Sequence, residues 1–124
     1  MSHFTTVKTQ IKELTLLKAA MKALNLQMVE RQTVNGYMGN KTTADAVWQV
    51  SDNYDVGAIK NADGTFDLVG DWWGTSMTIP MLEQKIPQEY AVQNVLRRAK
   101  LMGHQVAKEN RKDGSVRLVV RTGV

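Results

Sequence analysis

The sequence predicts an α+β fold: a largely antiparallel sheet with two main helices on one face, in the order β-α-β-β-β-β-α-β-β. Three observations carry this expectation. Two stretches, near residues 13–24 and 88–102, place apolar side chains at helical spacing. The segments around them alternate apolar and polar residues with period two, the mark of half-buried strands. Asp-Gly pairs at 63–64 and 113–114 lie between such segments, where a tight hairpin turn needs a residue at positive φ. The chain has 124 residues, of which 43% are hydrophobic, and no linker rich in Pro, Gly or Ser. It is read as a single domain over residues 1–124.

The first element is a strand from Phe4 to Ile11, in which Thr5, Val7, Thr9 and Ile11 alternate with Thr6, Lys8 and Gln10. A helix follows from about Glu13 to Leu24. Leu17, Ala20, Met21 and Leu24 fall at i, i+3, i+4 and i+7 and form its apolar stripe. Asn25 suits the left-handed residue that ends many helices. Leu26–Thr33 reads as a strand, and "VNGYMGNKTT" at 34–43 as a turn or loop. Ala44, Ala46, Trp48 and Val50 mark the next strand, Asp55–Lys60 a short one, and Thr65–Trp72 its hairpin return. Residues 75–87 are irregular. Pro87 and Glu89 suit a helix's first turn, Val92, Val95, Leu96, Ala99 and Met102 form its stripe, and Gly103 caps its end. Strands His104–Glu109 and Ser115–Arg121 close the chain around Asp113-Gly114. One spacing recurs 78 residues apart, in Met21–Leu24–Asn25–Met28 and Ala99–Met102–Gly103–Val106. Leu17, Met21, Leu24, Trp48, Leu68, Val95, Ala99, Val116 and Leu118 are the expected core.

Alternation along the return strand puts Phe66, Leu68, Gly70 and Trp72 on one face and Asp67, Val69, Asp71 and Trp73 on the other. Trp72 therefore belongs to the core face. Trp73 joins Val47, Ile59, Val69 and Val119 in a thin apolar stripe across an otherwise hydrophilic face. That stripe is either covered, within the chain or by self-association, or it is an interface for a partner.

Composition excludes much chemistry. Without cysteine there is no disulfide, thiolate-held zinc or cysteine nucleophile. No run approaches the length of a membrane span, and no secretory signal is seen at the N-terminus. His3 and His104 have no metal-binding spacing, and no serine stands in a Gly-x-Ser-x-Gly setting. Asn61-Ala62-Asp63-Gly64 imitates the start of a calcium loop, but the twelfth position is Trp72 rather than Glu. No catalytic residue, metal site or cofactor is expected.

Charge is uneven: residues 1–39 carry +3, residues 40–85 carry −4 and residues 86–124 carry +5. Arg97, Arg98 and Lys100 lie on the second helix, and Arg111, Lys112, Arg117 and Arg121 follow. Phosphate binding needs such a cluster. The candidate sheet face, however, carries Asp67 and Asp71 with Trp73 as its one aromatic, which is poor ground for stacking bases.

Three stretches resemble a known family. They are "MSHFTTVKTQIKEL", "VNGYMGNKTTADAVWQVSDNYDVGAIKNADGTFDLVGD" and "QEYAVQNVLRRAKLMGHQVAKENRKDGSVRLVVR". They are similar to the proteins called hypothetical chloroplast reading frame thirty-five, of plastids, cyanobacteria and cyanobacterial viruses. The family is a domain of unknown function and supplies no catalytic residue to transfer. The resemblance implies a soluble protein of a plastid stroma or cyanobacterial cytoplasm, host- or virus-encoded. The chain departs from the family's usual run between Trp72 and Pro80.

The resulting expectation is a non-enzymatic, soluble protein-binding or regulatory module. Its interface would be Trp73, Val69, Ile59 and Val47, and its partner an unidentified protein or a second copy. The alternative is a nucleic-acid-binding accessory protein using Arg97, Arg98, Lys100, Arg111 and Lys112.

Overall fold

The computed structural model describes residues 4–36, 39–51, 54–71 and 81–122. His3, Trp72 and Trp73 lie outside the described residues, so the expectations placed on the tryptophan pair lie outside them too. Among the described residues, two α-helices and nine strands, all paired antiparallel, make an α+β fold. The chain divides into two compact units, Met1–Tyr90 and Ala91–Val124.

The first unit is built on a five-stranded sheet. Its strands are β1 (Phe4–Lys8), β2 (Gln27–Val29), β5 (Ala46–Ser51), β6 (Tyr54–Lys60) and β7 (Phe66–Asp71), in the spatial order β1-β7-β6-β5-β2. The short strands β3 (Thr33–Asn35) and β4 (Lys41–Thr43) pair only with each other. They occupy the stretch that reads as turn and loop in the sequence. Three residues are too few to display a period of two, so these strands carry no alternation signal.

Helix α1 (Leu14–Ala23) buries Leu16, Leu17, Ala20 and Met21. Leu, Ala, Lys and Met are strong helix formers, and the buried set forms one stripe. Glu13 offers no side-chain cap. The Tyr90 hydroxyl instead accepts the Glu13 N–H at 3.2 Å. The helix ends at Asn25, φ 62°, where the Leu26 N–H donates to the Met21 carbonyl at 2.9 Å and the Asn25 N–H to that of Lys22 at 3.0 Å. This pair of bonds satisfies two orphaned helix carbonyls. A π-helical turn, Met81–Lys85, leads into α2 (Ile86–Leu101).

On one sheet face Ala46, Trp48, Val56, Ala58, Phe66 and Leu68 pack with Leu17 and Met21 of α1 and with Ile86 of α2, while Leu24 and Tyr90 are half-buried against them. These strand residues are those that alternation assigns to the helix side. The Trp48 ring is accommodated in a cross-strand row that runs Met28, Trp48, Val56, Gly70, Thr5.

The other face is also buried. Its central row is Val29, Val47, Gly57, Val69, Thr6. Val34 of β3 and Ala44, just after β4, lie over it and close a second apolar cluster with Val47 and Val69. The β3–β4 hairpin sits this low because Gly57 has no Cβ. A Cβ there would stand 2.6 Å from both Ala44 Cβ and Val34 Cγ2, and 3.1 Å from Val69 Cγ1. Polar bonds fix the hairpin to both ends of β6. The Asp55 carboxylate accepts two bonds from Arg31, at 2.6 and 3.0 Å, and one from the Asn35 N–H at 2.7 Å. Arg31 also donates to the Thr33 carbonyl. At the far end the Asp45 N–H donates to the Ala58 carbonyl at 2.9 Å, and the Asp45 carboxylate accepts the Lys60 N–H at 2.6 Å.

The second unit comprises the rest of α2 and a hairpin of β8 (Gln105–Asn110) and β9 (Val116–Arg121), which form a two-stranded sheet of their own. The expected single sheet is therefore three sheets. Val92 and Ala99 are buried, but Val95, Val116 and Leu118 are half-buried and Met102 is exposed. Among the described residues each hairpin strand has one neighbouring strand instead of two, so strand neighbours flank its side chains on one side only. Met102 occupies the cap position, where the helical period has stopped. Gly103, φ 73°, ends the helix as expected, with the His104 N–H on the Ala99 carbonyl at 2.8 Å and the Gly103 N–H on that of Lys100 at 3.2 Å. The spacing shared 78 residues apart is thus one capping geometry used twice.

Two changes probe the hairpin over the second face. Gly57→Ala should cost about 1–3 kcal/mol by overpacking; unchanged stability in denaturant unfolding would place the hairpin elsewhere. Arg31→Ala should cost about 3 kcal/mol, toward the low end for a broken buried pair. The Asp55 side chain is 1% exposed and loses its counter-charge, whereas Arg31 is 37% exposed and water can replace part of it. Hydrogen bonding to Asp55 raises the Arg31 pKa. A raised cation contributes below its ordinary pKa and is lost only as pH climbs through the raised value. The wild-type-to-variant difference should therefore not be lost through deprotonation of Arg31 between neutral and mildly alkaline pH.

Candidate functional site

Of the apolar stripe expected as an interface, Val47 and Val69 are covered within the chain, and Trp73 lies outside the described residues. Val47 and Val69 are buried beneath Val34 and Ala44, and Ile59 is half-buried beside them. Val119 lies on β9, in the other unit. A cleft of about 420 Å³ opens near Lys8, Thr9, Asn61, Asp63 and Asp67. Its carboxylates are engaged locally: Asp63 accepts the Thr65 N–H and hydroxyl, and Asp67 accepts from the Asn61 amide at 2.8 Å. Among the described residues no group of three or more His, Asp or Glu could hold a metal ion.

The second unit has a different character. Residues 91–124 carry eight Lys/Arg and two Asp/Glu, a net +6, whereas residues 1–90 carry eight and ten, a net −2. All eight cations are exposed. Three of them follow from helix geometry. At about 100° per residue, Leu101 stands about 40° round from Arg97, with Lys100 about 60° to the other side and buried Ala99 roughly opposite. Arg97, Arg98 and Lys100 therefore surround the outward face of the last helical turn, and Leu101 lies among them. Leu101 is 80% exposed, and Met102 beside it is 68% exposed.

The hairpin continues this surface. Register sets Val106 opposite Val120, Lys108 opposite Leu118 and Asn110 opposite Val116 on one face. The other face holds Gln105 opposite Arg121, Ala107 opposite Val119 and Glu109 opposite Arg117. The Glu109–Arg117 ion pair spans 3.9 Å between exposed groups and contributes little. Val120 is 40% exposed and lies at the strand end nearest the helix terminus. Arg111 and Lys112 sit in the turn at the other end of β8, about 20 Å away for a strand of this length. The five cations expected as one nucleic-acid contact thus form two groups.

The turn is shaped by its own carboxylate. Asp113 accepts the Ser115 N–H at 2.9 Å and its hydroxyl at 2.6 Å, while the Arg111 N–H donates to the Ser115 carbonyl at 2.9 Å. Gly114 takes φ 87°, which L side chains rarely adopt. The turn at 61–65 repeats the pattern, with Asp63, Gly64 at φ 89° and Thr65. In both, the hydroxyl and amide bonds hold the aspartate pKa below its ordinary value.

Leu101, Met102 and Val120 are the residues that sequence reading missed. Leu101 falls off the 92–95–96–99 stripe and among cations, which is the one signal that could have singled it out. Residues 91–124 contain no Phe, Tyr or Trp, so His104, which is half-buried, is the one aromatic ring in this stretch on which a base could stack.

A protein family of unknown function, DUF1257, matches residues 20–119. The uncharacterized protein ycf35 of Cyanophora paradoxa is 33% identical over 125 residues, covering 98% of this chain and 97% of that protein. Those of Guillardia theta and Pyropia yezoensis are 31% and 30% identical, each over 98% of this chain and 97% of the relative. No solved structure matches. No helix among the described residues is long and apolar enough to cross a membrane.

Asp113 supplies a pH test of the turn that presents Arg111 and Lys112. A lowered carboxyl contributes stability above its ordinary pKa and loses it as pH falls through the lowered value. In an NMR titration Asp113 should protonate below the ordinary aspartate range, and the Ser115 amide should lose its hydrogen-bonded shift at the same pH. An ordinary midpoint would mean that the turn is not held by this carboxylate.

Proposed function

This chain belongs to the DUF1257 family, and on that premise we propose that it is a non-enzymatic docking module. Its C-terminal helix and hairpin engage an acidic surface of a partner protein. The observation that carries this reading is Leu101, an outward leucine on a helical turn ringed by Arg97, Arg98 and Lys100. Covering a leucine is worth about 1.5–3 kcal/mol, a gain that a partner can supply. Apolar centres with charged rims are the ordinary anatomy of protein interfaces, and Met102 and Val120 extend the centre here. A net +6 selects for an acidic partner and speeds its encounter. Homologues from plastid-bearing organisms support the interior of a photosynthetic compartment, stroma or cyanobacterial cytoplasm, as the place of action.

A second reading has one observation in its favour, the eight exposed cations, which suit duplex phosphates. It leaves Leu101 and Met102 unexplained, because phosphate oxygens give apolar side chains no partner.

One pair of variants separates the two. Leu101→Asp removes the apolar centre at an exposed position, so folding stability should fall by only about 1 kcal/mol, from the carboxylate at the helix C-terminus and the weaker helix former. In affinity isolation with mass spectrometry it should lose co-purifying protein about tenfold. Replacing Arg97, Arg98 and Lys100 by Gln should weaken the same association and make it less sensitive to salt. If nucleic acid is the partner, the Gln variant should weaken gel retardation strongly, with a flatter salt dependence, and Leu101→Asp should weaken it only by the single charge it adds. Protein capture unaffected by Leu101→Asp would overturn the docking reading.

A further inference from the structure

The two-stranded sheet at the C-terminus has an open side. β9 bonds along one edge to β8 through six consecutive pairs without a bulge, and no strand among the described residues lies along its other edge. Natural edge strands are usually blunted by Pro, charged side chains, bulges or short length. β9 has no Pro and no bulge over its six residues, Val-Arg-Leu-Val-Val-Arg, and its two charges are arginines on one face, which admit a strand that carries carboxylates. Two strands alone are marginal, and a third with a shared apolar face is the usual remedy.

From this edge we infer that β9 accepts an extended acidic segment of the partner protein as a third strand. The inference rests on the docking reading above and names the form of its ligand. Side chains directly opposite on paired strands share a face. Val116, Leu118 and Val120 lie on one face of β9, and Arg117, Val119 and Arg121 on the other. A segment laid alongside would therefore carry apolar residues at alternate positions, and carboxylates opposite Arg117 and Arg121, four positions apart. Its main chain would satisfy the edge N–H and C=O groups, and its alternation would set the register, as in other strand-addition complexes. A second copy of this chain is disfavoured as the occupant, because it brings the same +6 unit to the edge.

The probe is a synthetic seven-residue peptide alternating glutamate and valine, capped at both ends, titrated against the full chain by fluorescence anisotropy. It should bind. N-methylation of alternate backbone amides should weaken it at least tenfold without altering its charge. A peptide of the same composition with its glutamates grouped at one end should be weaker by a similar factor. Because these changes are made in the peptide, no folding defect in the protein can imitate them. Arg117→Gln with Arg121→Gln should weaken binding at least tenfold while circular dichroism stays native. Equal binding by all three peptides, released alike by salt, would overturn strand addition while leaving charge-driven docking standing. Absence of binding by any peptide would also overturn the inference, and the docking reading would then stand or fall on Leu101→Asp.

Discussion

Gly57 is the position on which the larger unit depends. It is the middle of a cross-strand row in the middle strand of the main sheet, flanked by Val47 and Val69. A sheet with apolar residues on both faces needs two covers, and this chain has one set of helices. The second cover is a hairpin of two three-residue strands, too small to hold itself in place. It stays because its side chains meet a surface from which one Cβ is missing, and because Asp55 draws Arg31 and the Asn35 amide down beside it. Asp55 is a costly group to bury, and its bonds from the guanidinium and a backbone N–H offset that cost. Packing and charge are coupled here: the absent side chain lets the hairpin approach, and the carboxylate fixes where it lands.

That arrangement removes surface from function. A stripe of Val47, Ile59 and Val69 could have been a binding face. Covered internally, it becomes a second core. What remains outward in quantity is the cationic surface of residues 91–124 and the apolar side chains set within it. Net positive charge gathers in one unit and most of the burial in the other, as expected when a small helix–hairpin unit has too few residues to enclose its own apolar groups.

The turns show how much chemistry local sequence can carry. Asp63-Gly64-Thr65 and Asp113-Gly114-Ser115 lie in different units and have the same bonds, the same positive φ and the same lowered carboxyl. Each needs only a glycine at one position, a carboxylate before it and a hydroxyl after it. The two helix ends behave likewise, with Asn25 and Gly103 serving one capping geometry. Such motifs are self-contained, so they recur wherever the residues do.

The sequence by itself determined what depends on neighbours a few residues apart. The stripe of Leu17, Ala20 and Met21, the core-face alternation of Trp48, Val56 and Leu68, both Asp-Gly turns and both helix ends follow from spacing and residue chemistry. So does the excess of positive charge at the C-terminus. Tertiary structure alone decided that Val34 covers Gly57, that Arg31 finds Asp55, that Tyr90 caps α1 and that β8 and β9 pair with no third strand among the described residues. It also decided that Val47 is core and Leu101 is surface. The first three bring together residues 23 to 77 positions apart, and the others depend on which faces the rest of the chain happens to cover. A periodic pattern says that a side chain is apolar and which way it points. It does not say whether the chain has anything left to place over it.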